Sequence, residues 1–164
     1  MTSKSYHTKQ KQIYFKACHN LLQLENVINS IKEEDTSNFQ ISILGQVAQY
    51  YVDKEKDIAE GVDVIKVYWK KVLGNKAVYG SFYNPEIGNV FIAGGLASTF
   101  LHKIDGKYLA TMSSGPYGIF RGMGVSEARA ATYLKILNEG KYLLIIRGFE
   151  KDLWSIEDIL KEKD

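Results

Sequence analysis

The chain has 164 residues, 45% hydrophobic and 24% charged with two prolines, which suits one folded domain with one core and excludes a low-complexity polymer. Its formal charge of +2 is too small for the electrostatic footprint of a nucleic-acid binder, so no nucleic-acid partner is expected. Cys18 is the single cysteine, the N-terminus lacks the apolar stretch of a signal peptide, and no window approaches the ~18 apolar residues of a span; a cytoplasmic chain with no membrane span is expected.

Residues 1–11 are polar and predict a flexible N-terminal stretch. QIYFKAC follows, with Ile13, Phe15 and Ala17 alternating against Tyr14, Lys16 and Cys18, the period of a first strand. Leu21, Leu24, Ile28 and Ile31 then recur at helical spacing behind Asn20, a good N-cap with Gln23 three residues on, and predict a helix over 21–34. FQISILG supplies a second strand with Phe39, Ile41 and Ile43 on one face. From Lys54 to Leu73, the stripe Ile58, Val62, Ile65, Trp69 and Val72 predicts a second helix, weakened at Gly61. The lysines from Lys70 to Lys76 read as its basic last turn rather than as a phosphate site.

Asn89 to Gly94 predicts a third strand, and LASTFLHKI a short helix with Leu96, Phe100 and Ile104 on one side. Ten of the fourteen glycines lie between Gly74 and Gly124, where neither a P-loop nor a GxGxxG fingerprint occurs; Gly118 and Gly122 have a spacing that permits close helix packing. Ser126 caps a helix carrying Ala130, Tyr133, Leu134 and Leu137 on one face, and Gly140 ends it. The apolar run Tyr142 to Ile146 has the composition of a strand buried on both faces at the centre of a sheet. Trp154, Ile156, Ile159 and Leu160, behind Ser155, predict a helical tail within 150–164.

NPEIGNVFIAGGLASTF followed by GMGVSEARAATYLKILNEGKYLLIIRG resembles the small bacterial general stress (heat-induced stress) proteins, whose "PGIGP…AGPLA" stretch precedes "GIPEEEA…Y…A…G…LV.V". The resemblance covers residues 12–148 in element order, and 85–97 and 122–148 in motif. It implies a ferredoxin-like core with an inserted apolar segment, a stress-related role and no particular reaction. The expected architecture is therefore one α+β domain over 1–164: a split βαβ, ferredoxin-like antiparallel sheet with helices on one face and an inserted glycine-rich segment over 74–124. Where those proteins are rich in alanine and glycine, this segment carries Tyr79, Phe82, Tyr83, Phe91, His102, Tyr108, Tyr117 and Phe120, which suits a packed insertion or a dimer interface better than a membrane-lying zipper.

Chemistry is sparsely encoded. Cys18 and His19 are adjacent and point in different directions, so no metal site is expected, and the lone cysteine reads as a small buried hydrophobe rather than a nucleophile. Ser113 or Ser114 with His102 and Asp105 lacks a nucleophile elbow, and no cofactor motif is present. Tyr79, Tyr83, His102, Tyr117 and Arg121 are the candidate ligand-binding residues, because they combine aromatic area with polar ends. Two functions follow from this reading. The first is a non-catalytic binding or assembly module, forming a homodimer through an open sheet face or the aromatic segment, or taking an unidentified small molecule or protein partner. The alternative is an enzyme with His102 as acid/base and Arg121 gripping an anion in a pocket between sheet and insertion.

Overall fold

A computed structural model describes residues 11–34, 38–55, 63–112 and 114–162. The first half follows the hydrophobic periodicity closely. Strand β1 (Lys11–Cys18) leads into helix α1 (Leu21–Lys32), where the Asn20 side chain accepts the Gln23 amide at 2.8 Å and the Gln23 side chain accepts the His19 amide at 2.7 Å. Strand β2 (Phe39–Gln46) runs directly into helix α2 (Val47–Lys54), and helix α3 (Val64–Leu73) follows, capped by the Asp63 carboxylate. The predicted helix from Lys54 to Leu73 thus retains Ile65, Trp69 and Val72 in α3, whereas Ile58, Gly61 and Val62 lie outside the described residues. At its basic end, Lys70 donates to the carbonyls of Asn75 and Ala77, and Lys32 donates to that of Val72, so two of these cations satisfy backbone oxygens.

Strands β3 (Tyr79–Asn84) and β4 (Gly88–Gly94) form a hairpin, followed by a one-turn helix α4 (Ala97–Phe100) and a small ribbon of β5 (Lys103–Ile104) and β6 (Lys107–Tyr108). After a 3-10 turn at Leu109–Thr111 come α5 (Gly115–Gly122), α6 (Glu127–Asn138), β7 (Tyr142–Phe149) and α7 (Glu150–Glu162). Five strands make one antiparallel sheet in the order β1-β7-β2-β4-β3. Strand β7 is interior, between β1 and β2, and buried from Tyr142 to Ile146, as its unbroken apolar run requires, but the strand at the sheet centre is β2.

Strand alternation separates two cores. Tyr142, Leu144 and Ile146 of β7 face one side, with Ile43 and Phe91, and are covered by α1, α2, α3 and α7. Leu143 and Ile145 face the other, with Leu44, Val90 and Ile92, and are covered by α4, α5 and α6. The architecture is thus α+β, but helices cover both faces of the sheet instead of one. The cause is topological. The parallel strands β1 and β2 flank β7, β2 and β3 flank β4, and β4 and β7 flank β2, so three split crossings are present. The first two pass over the face covered by α1, α2 and α3, and the third over the face covered by α4, α5 and α6. The third is therefore of opposite hand to the other two, and the three do not all follow the usual right-handed rule.

Three further expectations need correction. The segment 74–124 is not an insertion beside a finished sheet, because its β3 and β4 are two of the five strands, joined to β2 by a ladder from Ser42–Gly94 to Gln46–Val90. Ile104 lies exposed in the small ribbon rather than on the helix with Leu96 and Phe100. The last helix starts at Glu150, directly after β7, and it is Leu153, Ile156 and Leu160 that are buried, while Trp154 is 62% exposed. Starting five residues before Ser155 turns Trp154 outward, since helical periodicity places Leu153, Ile156 and Leu160 together.

Candidate functional site

Among the described residues the sheet ends at a cleft of about 800 Å³, and two smaller ones, of about 340 and 290 Å³, lie elsewhere. Three pieces of chain build it. The β3–β4 turn supplies Asn84, Pro85, Glu86 and Ile87; the approach to α5 supplies Thr111, Met112, Ser114, Pro116 and Tyr117; and α6 supplies Ala131, Leu134, Lys135 and Asn138. The turn is stiffened from within, by the Ile87 amide to the Asn84 carbonyl at 3.2 Å and the Glu86 amide to Asn84 Oδ1 at 2.9 Å. Gln46, at the end of β2, ties the turn to α6, since its Nε2 donates to the Ile87 carbonyl at 3.1 Å and reaches that of Asn138 at 3.5 Å. Gly115 has φ +47°, and a Cβ there would stand 2.8 Å from Asn84 Nδ2, so a glycine lets the start of α5 close against the turn. The lining carries one acid, Glu86, and one base, Lys135, together with amide, hydroxyl and apolar groups, so it is charge-balanced.

The five candidate residues are not gathered in one place. Tyr117 lines the cleft. Alternation along β3 sends Tyr79 and Tyr83 to the opposite side of the sheet from Phe82, where Tyr79 packs in the first core and Tyr83 is 58% exposed. His102 stands exposed in the link from α4 to β5, and Arg121 donates to the Val125 carbonyl at 2.9 Å and faces Glu127 at 3.8 Å. Neither lines any of the three clefts. Cys18 is fully buried in the first core, and among the described residues no group of three His, Cys, Asp or Glu is placed to hold a metal.

Sequence reasoning did not single out Asn84, Glu86, Lys135 or Asn138. The Asn-Pro pair at 84–85 and the Gly-Pro pair at 115–116 do mark two chain reversals, but only the sheet register shows that they meet.

On the other face lies a layer of tyrosines and carboxylates. Tyr68 donates to Glu25, whose Oε2 also accepts from Lys54 at 3.1 Å, and the Lys54 ammonium sits 4.4 Å from the Tyr68 ring centre. Asp53 accepts from the Leu21 amide at 3.1 Å and from Gln49 at 2.8 Å. Burial, and then Tyr51 and Glu25, pushes Tyr50 up to about 12. Burial first, and then the nearby carboxylate, also raises Tyr68 (Glu25), Tyr79 (Asp63) and Tyr142 (Asp53). The Tyr142 hydroxyl is drawn by Asp53 yet closes no well-aligned hydrogen bond, and Trp69 Nε1, also buried, has no hydrogen-bond partner among the described residues. This layer contains none of the three clefts and is packed ring on ring, as with Tyr68 on Trp69 at 4.8 Å.

The fold and site define an α+β chain with a sheet between two helical layers and an open, charge-balanced cleft at the sheet end. No family model matches it, and no match was found among the curated proteins or the solved structures.

Proposed function

We propose that this protein is a non-catalytic binding module that takes a small neutral or zwitterionic molecule in the cleft between the β3–β4 turn, the start of α5 and α6. The observation that carries the reading is the convergence of three separately folded pieces on one cleft whose walls are held by Gln46, Asn84 and Gly115. Its volume is within the usual range for small-molecule sites, and its mixed lining suits a ligand with an apolar part and hydrogen-bonding ends. One acid and one base in the lining, Glu86 and Lys135, favour a zwitterion over a strong anion. A cytoplasmic setting is supported by the single cysteine, and a stress-related role by the resemblance of residues 85–97 and 122–148. Kinship with ferredoxin-like proteins is part of the same reading, supported by the split crossings β1–α1–β2 around β7 and β4 to β7 around β2.

A thermal-shift screen of neutral and zwitterionic metabolites tests the proposal. A ligand at about 100 times its Kd adds about 2.7 kcal/mol, or about 5–10 °C in a chain of this size. Ala131→Trp, at an exposed position on the cleft wall, should abolish the shift while leaving the unliganded melting temperature within a few degrees. Absence of any hit, or a hit that survives Ala131→Trp unchanged, would count against the site.

A further inference from the structure

At the opposite end of the sheet from the large cleft, β7 closes with an arginine. Arg147 sits between Ile13 of β1 and Gln40 of β2, half-buried, on an interior strand where a charge is expensive unless it is paired. Among the described residues it has no hydrogen-bond or ion-pair partner. It lines a separate cleft of about 340 Å³ with Lys11, Phe39, Phe149, Gln40 and Asp152.

The charges do not cancel there. Lys11 and Arg147 supply two cations against one carboxylate, and Asp152 stands in the first turn of α7, where the helix's own positive end favours a negative side chain. The Lys11 ammonium lies 5.8 Å from the Phe149 ring centre, so it is held over the cleft's aromatic wall. Phe39 closes the floor from the other side of the sheet: it packs in the first core against Gly148, where a Cβ would stand 2.7 Å from the Phe39 Cβ, on the face opposite Arg147 and Phe149.

We infer that this cleft binds a small organic carboxylate, its carboxyl group taken by the Arg147 guanidinium with Lys11 alongside and its apolar body against Phe149. A guanidinium offers parallel N–H donors that match a carboxylate in two-point contact, which an ammonium does not. The site is separate from the large cleft and does not depend on it.

Benzoate, with the neutral isostere benzamide as control, tests the assignment by amide NMR titration of the whole chain. Benzoate should shift the amides of residues 38–40 and 147–149 saturably, and benzamide should not. Arg147→Gln should weaken benzoate binding at least tenfold, and Lys11→Gln, at an exposed position, should weaken it severalfold. Equal shifts from benzamide, or unaltered benzoate binding in either variant, would overturn the proposal, as would inorganic phosphate saturating the same amides more tightly than benzoate. Should Arg147→Gln fail to fold, the benzamide and Lys11→Gln comparisons decide the matter.

Discussion

A tyrosine hydroxyl removed from water beside a carboxylate keeps its proton, and this chain contains a group of them. Tyr50, Tyr68, Tyr79 and Tyr142 are raised on the α1–α3 side of the sheet, and Tyr14 is raised by burial and then by Glu157 on α7. In the unfolded chain each would titrate near pH 10. The folded state therefore holds these protons more tightly. The stability they contribute is complete below about pH 10 and is lost as pH rises from there through about 12, where Tyr50 titrates. Urea midpoints should accordingly hold between about pH 8 and about pH 10 and drop sharply by about pH 11. A flat profile, or tyrosinate absorbance developing for all eleven tyrosines together in the native protein, would contradict the packing described.

Among the elements, the ends are set by local chemistry and the junctions by backbone crowding. The N-caps at Asn20 and Ser126 form as their residue types require, and Ser126→Ala should cost about 1 kcal/mol in urea denaturation. Gly94 marks a junction of the other kind. It has φ +106°, and a Cβ there would lie 2.0 Å from the Ile41 carbonyl oxygen, so Gly94→Ala should cost about 3 kcal/mol or more. Gly118 and Gly122 behave differently from the close-packing motif that their spacing suggests. A Cβ at Gly122 would meet nothing, and one at Gly118 would meet only Ser114 of the same segment. Gly122→Ala should therefore be neutral or stabilising by about 0.5 kcal/mol; a clear loss of stability would reinstate a packing role for the pair.

For the whole molecule, the decisive feature is that neither sheet face is left open. The premise for a dimer through a bare sheet face is thereby removed, since α4, α5 and α6 cover the second face. The helix α7 is part of the first layer rather than an appendage. Leu153, Ile156 and Leu160 pack there, and Lys16 of β1, 2% exposed, donates to the Leu160 carbonyl at 2.9 Å. Burial of three such side chains is worth roughly 1.5–3 kcal/mol each, comparable to the net stability of many domains. A chain ending at Phe149 should bind a hydrophobic dye and lose its cooperative melting transition. Retention of the full-length melting temperature would show that α7 is dispensable.

The apolar alternation of residues 13–18 and 39–43, the helical spacing of 21–31 and 130–137, and the unbroken run 142–146 are local signals, and each became the element it predicts. They even make β7 an interior strand, because a strand with no polar face needs cover on both sides, although the middle of the sheet is β2. Hairpin strand β3 was not legible, since Gly80, Ser81 and exposed Tyr83 interrupt its apolar pattern, and only the ladder to β4 makes it a strand. Periodicity says which side of a helix is apolar but not which face of the sheet will receive it. That choice rests on the path of the three crossings, a long-range property with no counterpart in any short window. For the same reason the large cleft, drawn from residues 84–87, 111–117 and 131–138, and the Lys11–Arg147 pair exist only once the strand register has brought distant segments together.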